Sequence, residues 1–255
     1  MNDAQAVQAV LTDLSAPKLT AYKKLGLQDD WQVIQSYIFL LDLAGQFLVP
    51  LQLLEIALRN KMHSAIAKQT KKPDWYLTVP VSNDSKRQVA FALTEAAKDG
   101  KTTHDDIVCR LMFGFWVFMA HKDYRPSGIG ENLWQFIKAD VFPGTTQSIS
   151  SIFDELQAIN KIRNRLFHHE PLWKASGRQD MAAAVARTRT QYQRILKVLG
   201  WISPEKLILI NGLGITAKFD RACNVINFKP TPIAVSAAAP AAAAAAAVSG
   251  VQGAA

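Results

Sequence analysis

Between residues 148 and 163 the apolar side chains Ile152, Leu156, Ile159 and Ile162 recur at intervals of four, three and three, with polar residues between them. That repeat belongs to one face of an α-helix, because a strand would bring the apolar residue back every second position. Ser148 or Ser151 opens the helix, Ser151 with Asp154 three positions on. At its far end stands KIRNRLFHHEPLW, residues 161–173, where Pro171 pushes Glu170 out of the helical region and the helix should loosen across HHE.

Helical spacing and helix punctuation cover most of the remaining chain, so the fold expected is all-α. Ser15 followed by Pro17 reads as an N-cap with an early proline, and Gly26 closes that short element. Asp30 is placed to cap the next helix, which carries Val33, Ile34, Ile38, Leu41, Phe47 and Leu48 before Pro50 breaks or kinks it. A helix over about Leu51 to Lys68 follows, and then the loop KKPDWYLTVPVSNDS and a polar helix near 86–98. Thr103 and Asp106 cap a helix predicted to contain LMFGFWVFMA, which is apolar on every side and therefore central. A Pro- and Gly-rich loop at 125–130 leads to NLWQFIKADVFP, stopped by Pro143; a later helix runs from about Gln179 to Leu199, ended by Gly200, and a short one follows Pro204.

The 255 residues suit one main domain, placed at 1–232. Residues 233–255 are low-complexity, alanine-rich and uncharged, with no side chain large enough to build a core, and are expected to be a disordered tail. The apolar stretches LAGQFLVPLQLL and LMFGFWVFMA fall short of the roughly 20 residues a membrane span requires, so both are expected to be buried helices with no membrane partner. MNDAQAVQAVLTDL lacks a basic start before an apolar run, and the two cysteines, Cys109 and Cys223, make neither a disulfide framework nor a zinc site, so a cytoplasmic location is expected. A formal net charge of +8 favours polyanionic partners, because lysine and arginine release the counterions condensed on a phosphate chain.

The chemistry concentrates in the 161–173 stretch. Arginine followed at four to six residues by histidine is weak evidence by itself; arginine-asparagine and then histidine, as in Arg163, Asn164 and His168, is rarer. Against a functional reading stands a plain one, a basic helix end whose histidines face the negative end of the helix dipole. Arginine offers planar donors to phosphate oxygens and histidine titrates near neutral pH, so the natural substrate of such a set is a phosphodiester. RNA supplies its own nucleophile in the 2′-hydroxyl, leaving the protein to provide a base and a cation for the developing charge. Lys161, Arg165 and Lys174 add positive charge for an RNA backbone. In an unbroken helix Asn164 and His168 share a face, whereas Arg163 and His168 point roughly 140° apart. Bringing arginine and histidine together therefore requires the helix to loosen or a second copy to meet it.

These residues resemble the HEPN superfamily, and within it the Abi-like (abortive infection) proteins of bacteria. The motif RNxxxH is read at Arg163-Asn164-Arg165-Leu166-Phe167-His168; Glu55 and Arg59, followed by Asn60, resemble the family's acid and base four apart on an early helix. GFW at 114–116, LW at 133–134 and VFP at 141–143 extend the likeness over roughly residues 15–200. The resemblance implies a HEPN-like multi-helix bundle with additional helices, a homodimer joining two motifs in one cleft, and a metal-independent endoribonuclease without cofactor, acting on single-stranded RNA as a toxin in phage defence or growth arrest. It implies catalytic roles for Arg163 and His168, with Asn164 orienting them, and allows an antitoxin or regulatory partner. The same family includes inactive RNA-binding or dimerisation modules, which is the alternative reading.

Which imidazole acts as the base stays open between His168 and His169, with His168 preferred for sharing a face with Asn164. Glu55 and Arg59 are equally read as an ordinary helical ion pair. Arg59 and His63, one residue too close for the motif, are expected to pair on a helix surface. Phe115 and Trp116 are assigned to the core.

Overall fold

The computed structural model describes residues 3–14, 16–27, 29–79, 82–124, 133–174, 176–177, 179–224 and 228. They are all-α, with no strand among them. Helices α1 (Asp3–Leu14) and α2 (Ala16–Lys23) precede two longer ones, α3 (Asp30–Gly45) and α4 (Leu48–Thr70). Short α5 (Trp75–Thr78), α6 (Asn83–Lys98), α7 (His104–Arg110) and α8 (Phe113–Phe118) follow. The second half holds α9 (Leu133–Val141), α10 (Ile149–Phe167), α11 (Met181–Ile202), α12 (Pro204–Gly212) and α13 (Ile215–Ala222). The alanine-rich tail, Ser15 and the 125–130 loop, on which sequence expectations fell, lie outside the described residues.

Side chains that accept from free N–H groups in the first turn set the helix starts. Ser148 caps α10, accepting from Ser151 N at 3.2 Å, so of the two candidate serines the first serves. Thr103 and Asp106 form the expected reciprocal capping box on α7. Asp29, and not Asp30, caps α3, with its carboxylate 2.8 Å from Gln32 N. Pro50 does not end a helix; it sits in the first turn of α4, where no intrahelical N–H is lost. Likewise α11 continues through Gly200 to Ile202, and residues 75–78, expected as loop, form α5.

The expected helix through LMFGFWVFMA is two helices. Leu111 and Met112 are extended, with ψ of 121° and 159°, and the chain turns between α7 and α8. Trp116 explains the break: its buried indole N–H donates to the carbonyl of Leu111 at 3.2 Å, a group that an unbroken helix would have kept for itself. The centrality of the stretch holds, since Phe113, Phe115, Trp116, Met119 and Ala120 are fully buried.

Buried residues join into one core cluster. Helix α4 runs through it, packed by α8, α9 and α11, while α10 lies between α8 and α11. Ile152, Leu156, Ile159 and Ile162 point inward from α10 as their spacing required. The 43–54 stretch is only partly buried: Leu43, Phe47, Leu51 and Leu54 enter the core, but Leu48 and Val49 are exposed, as are Ile38 and Leu41 of α3. Taken together, the 41 residues Asp30–Thr70 are long and apolar enough to cross a membrane, and 44% of their most apolar window is buried in the protein. Their inward face is accounted for by packing against α9 and α11.

Candidate functional site at the end of α10

Helix α10 ends in a Schellman motif built from the sequence-predicted site. His168 is the C-cap; the N–H of His169 reaches Leu166 O at 3.1 Å, and that of Glu170 reaches Arg165 O at 2.8 Å. The left-handed position of this motif, ordinarily glycine, is held by His169 at φ 55°. A side chain there costs about 1–2 kcal/mol. Pro171 follows, and Leu172 and Trp173 are buried, pinning the chain just past the turn. The ring of Trp173 meets Tyr22 of α2 edge-on at 5.3 Å between centroids, and Tyr22 meets Tyr37 of α3 in the same way. Burial pushes the Tyr22 hydroxyl up to about 12.

This aromatic contact lays α2 alongside the turn and opens a groove of about 580 Å³ between them. His168, His169 and Lys174 line it from one side, with Lys18 and Thr20 of α2 and Lys24 just past its end on the other. Both histidines are exposed at its surface. Lys18 and Lys24 were missed by sequence reasoning, since nothing local relates residues 18–24 to residues 168–174; the tertiary contact Tyr22–Trp173 joins them.

Arg163 does not line the groove. Its guanidinium carbon lies 4.6 Å from the ring centre of Phe167, one turn on, and its Nε is buried without a hydrogen-bond partner among the described residues. The positive charges of Arg163 and, more weakly, Arg59 act on Glu55 of α4, so the early acid and the motif arginine are electrostatic neighbours. Burial outweighs both and holds the Glu55 carboxyl above the usual carboxylate range. Arg59 donates from Nε to Asn60 Oδ1 at 3.1 Å. Asn164, Lys161 and Arg165 are exposed outside the groove, and the carbonyl of Asn164 accepts the N–H of His168 at 2.9 Å.

Thus one chain gathers His168, His169 and Lys174, gathers Glu55 and Arg163 separately, and leaves the two sets on different faces of the α10 terminus. The 140° divergence expected for an intact helix explains this, because α10 stays helical through Phe167. His63 does not pair with Arg59 on the helix surface; it faces Trp75, whose indole N–H donates to its Nδ1. No group of three or more His, Cys, Asp or Glu side chains converges among the described residues.

The site therefore offers exposed imidazoles in a basic groove and a half-buried arginine beside a carboxyl group. Proton transfer at one and phosphate-charge neutralisation at both are the chemistry within reach of these groups. No family model matches the chain, and no curated protein or solved structure matches it either.

Proposed function

We propose that the protein is an Abi-like HEPN endoribonuclease that cleaves single-stranded RNA without a metal and acts, as a homodimer, in phage defence or growth arrest. The observation that carries this reading is the presentation of His168 and His169, exposed, in a groove shared with three lysines. In the proposed step His168 takes the proton of a ribose 2′-hydroxyl, whose oxygen bonds to the adjacent phosphorus. The bond from phosphorus to the 5′-oxygen breaks, and that oxygen takes a proton from the imidazolium of a second copy, leaving a 2′,3′-cyclic phosphate. Arg163 neutralises charge on the non-bridging oxygens, with Asn164 and Glu55 as positioning residues. Since a single chain holds Arg163 and His168 on different faces, the reading requires two copies to complete one site.

That same separation favours the second reading, a non-catalytic RNA-binding or dimerisation module. Labelled single-stranded RNA incubated in EDTA with wild type, His168→Ala and Arg163→Ala decides between them. A nuclease loses about 10²- to 10⁴-fold in rate when its general acid or base is removed. Cleavage in EDTA that both substitutions abolish supports the enzyme. Binding without product selects the module, and cleavage by His168→Ala at the wild-type rate overturns the mechanism.

A further inference from the structure

We infer that the groove between α2 and the turn after α10 is a track for the sugar-phosphate backbone of single-stranded RNA, with Lys18 and Lys24 as its outer phosphate contacts. The inference rests on RNA being the ligand, as proposed above, and adds a contact surface far from the motif in sequence. Helix α2 buries Leu19 and Tyr22 and presents Pro17, Lys18, Thr20 and Ala21 to the groove, where Lys24, the residue after its end, joins them. Those positions follow the one-face interval of three and four residues, so a single stripe of α2 makes the wall.

The charge of this wall is uncommitted. On the same helix Lys23 pairs with Asp30 at 3.4 Å, whereas Lys18, Lys24 and Lys174 have no ion-pair partner among the described residues. Among the described residues, Glu170 is the one carboxylate lining the groove. Three ammonium groups against one carboxylate leave a positive trough, and the volume of about 580 Å³ lies within the roughly 300–1,000 Å³ typical of ligand sites. Lysine and histidine side chains and the hydroxyl of Thr20 stand among the apolar lining residues Pro17, Ala21, Pro171 and Trp173, so a chain of phosphates finds donors on both walls. An extended strand fits better than a compact anion, because Lys174 sits on the wall opposite Lys18 and Lys24, and those two lie near the two ends of α2, roughly 9 Å apart by the helical rise over six residues.

The test uses the full-length protein and a fluorescent 2′-O-methyl RNA oligomer, which lacks the nucleophile and so reports binding whether or not the protein is a nuclease. Affinity is measured across salt concentrations for wild type, Lys18→Gln/Lys24→Gln, Lys18→Arg/Lys24→Arg and, as a control, Lys86→Gln on exposed α6 surface. Each phosphate-bound lysine contributes about 0.7 to the salt slope on a single strand, so the double glutamine variant should lose about 1.4. This equals about a sevenfold smaller loss of affinity across a fourfold rise in salt. The arginine variant should keep the wild-type slope, and so should Lys86→Gln. An unchanged slope in Lys18→Gln/Lys24→Gln overturns the track. So does displacement of the oligomer by millimolar inorganic phosphate, or tighter binding confined to oligomers with a 5′-phosphate, since either marks a site for a lone or terminal phosphate. Wild-type RNA binding with the lysine-dependent slope but no cleavage in EDTA sinks the nuclease and leaves the track standing. Cleavage dependent on His168 with an unchanged lysine slope does the reverse.

Discussion

Trp75, fully buried against Phe115 and Trp116, donates its indole N–H to Nδ1 of His63 across 3.0 Å. An accepting Nδ1 requires the neutral ring, because both nitrogens of imidazolium are donors. Burial lowers the His63 pKa from its ordinary value; the nearby charge of Asp105 opposes this and that of His104, itself 3.1 Å from the Tyr76 hydroxyl, adds to it.

A group whose folded pKa lies below its unfolded one binds fewer protons when folded, so its contribution is complete above about pH 6.5 and is lost as pH falls toward the folded value. Melting temperature should therefore decline from pH 7 downward. His63→Asn, which keeps an acceptor near the Nδ1 position without a titratable proton, should flatten that limb. Superimposable acid limbs for the two proteins in thermal melts would rule out His63 as their cause.

Glu55→Gln should separate stability from function. The Glu55 pKa is raised, so the folded state favours its protonated form and ionisation costs stability as pH rises through the unfolded value near 4.5 and on to the folded one. Glutamine avoids that cost, and the variant should melt slightly higher at pH 7. Cleavage should nevertheless fall, by up to about 10²-fold, if the carboxylate positions Arg163. A variant both more stable and fully active would remove Glu55 from the site.

His169→Gly relieves the left-handed turn. The gain of about 1–2 kcal/mol in the folded state is offset by roughly 0.5–1 kcal/mol of added freedom in the unfolded chain. A net stabilisation of about 0–1.5 kcal/mol, with its midpoint near 0.75 kcal/mol, corresponds at that midpoint to a melting temperature roughly 2 °C higher for a chain of this size. With His168 as the base, the cleavage rate should change little; a loss as large as that of His168→Ala would transfer the role to His169.

At the other end of the bundle Gly144 donates its N–H to Trp201 O at 2.9 Å, and a β-carbon on it would strike the backbone carbonyl of Gly200. Backbone cannot rotate aside as a side chain does. Gly144→Ala should cost about 3 kcal/mol, at the upper end of overpacking penalties, and appear as a lower denaturation midpoint with little change in slope. A loss under about 0.5 kcal/mol would mean the segment shifts without strain.

Most of the helices could be read from local pattern because a helix is specified by neighbours three and four residues apart. Ile152 to Ile162 face the core as their spacing requires, and Thr103 with Asp106 caps α7, since both depend on contacts within a turn or two. The break at Leu111 was invisible to that logic, because the group competing for its carbonyl is the indole of Trp116, and the competition matters only once both are buried. Asp29 and Asp30 are chemically equivalent as caps, so backbone geometry chose between them.

For the candidate site, sequence alone located the RNxxxH set and the turn forced by Pro171, both matters of residue type and short spacing. Tertiary packing decided the rest. Docking of Tyr22 on Trp173 brings lysines from residue 18 and 24 to histidines at 168 and 169, and packing of the bundle sets Glu55 within the field of Arg163. Such relations join residues more than a hundred positions apart, and the energy that selects them is burial of apolar surface, which acts on distance in space and leaves no periodic trace along the chain.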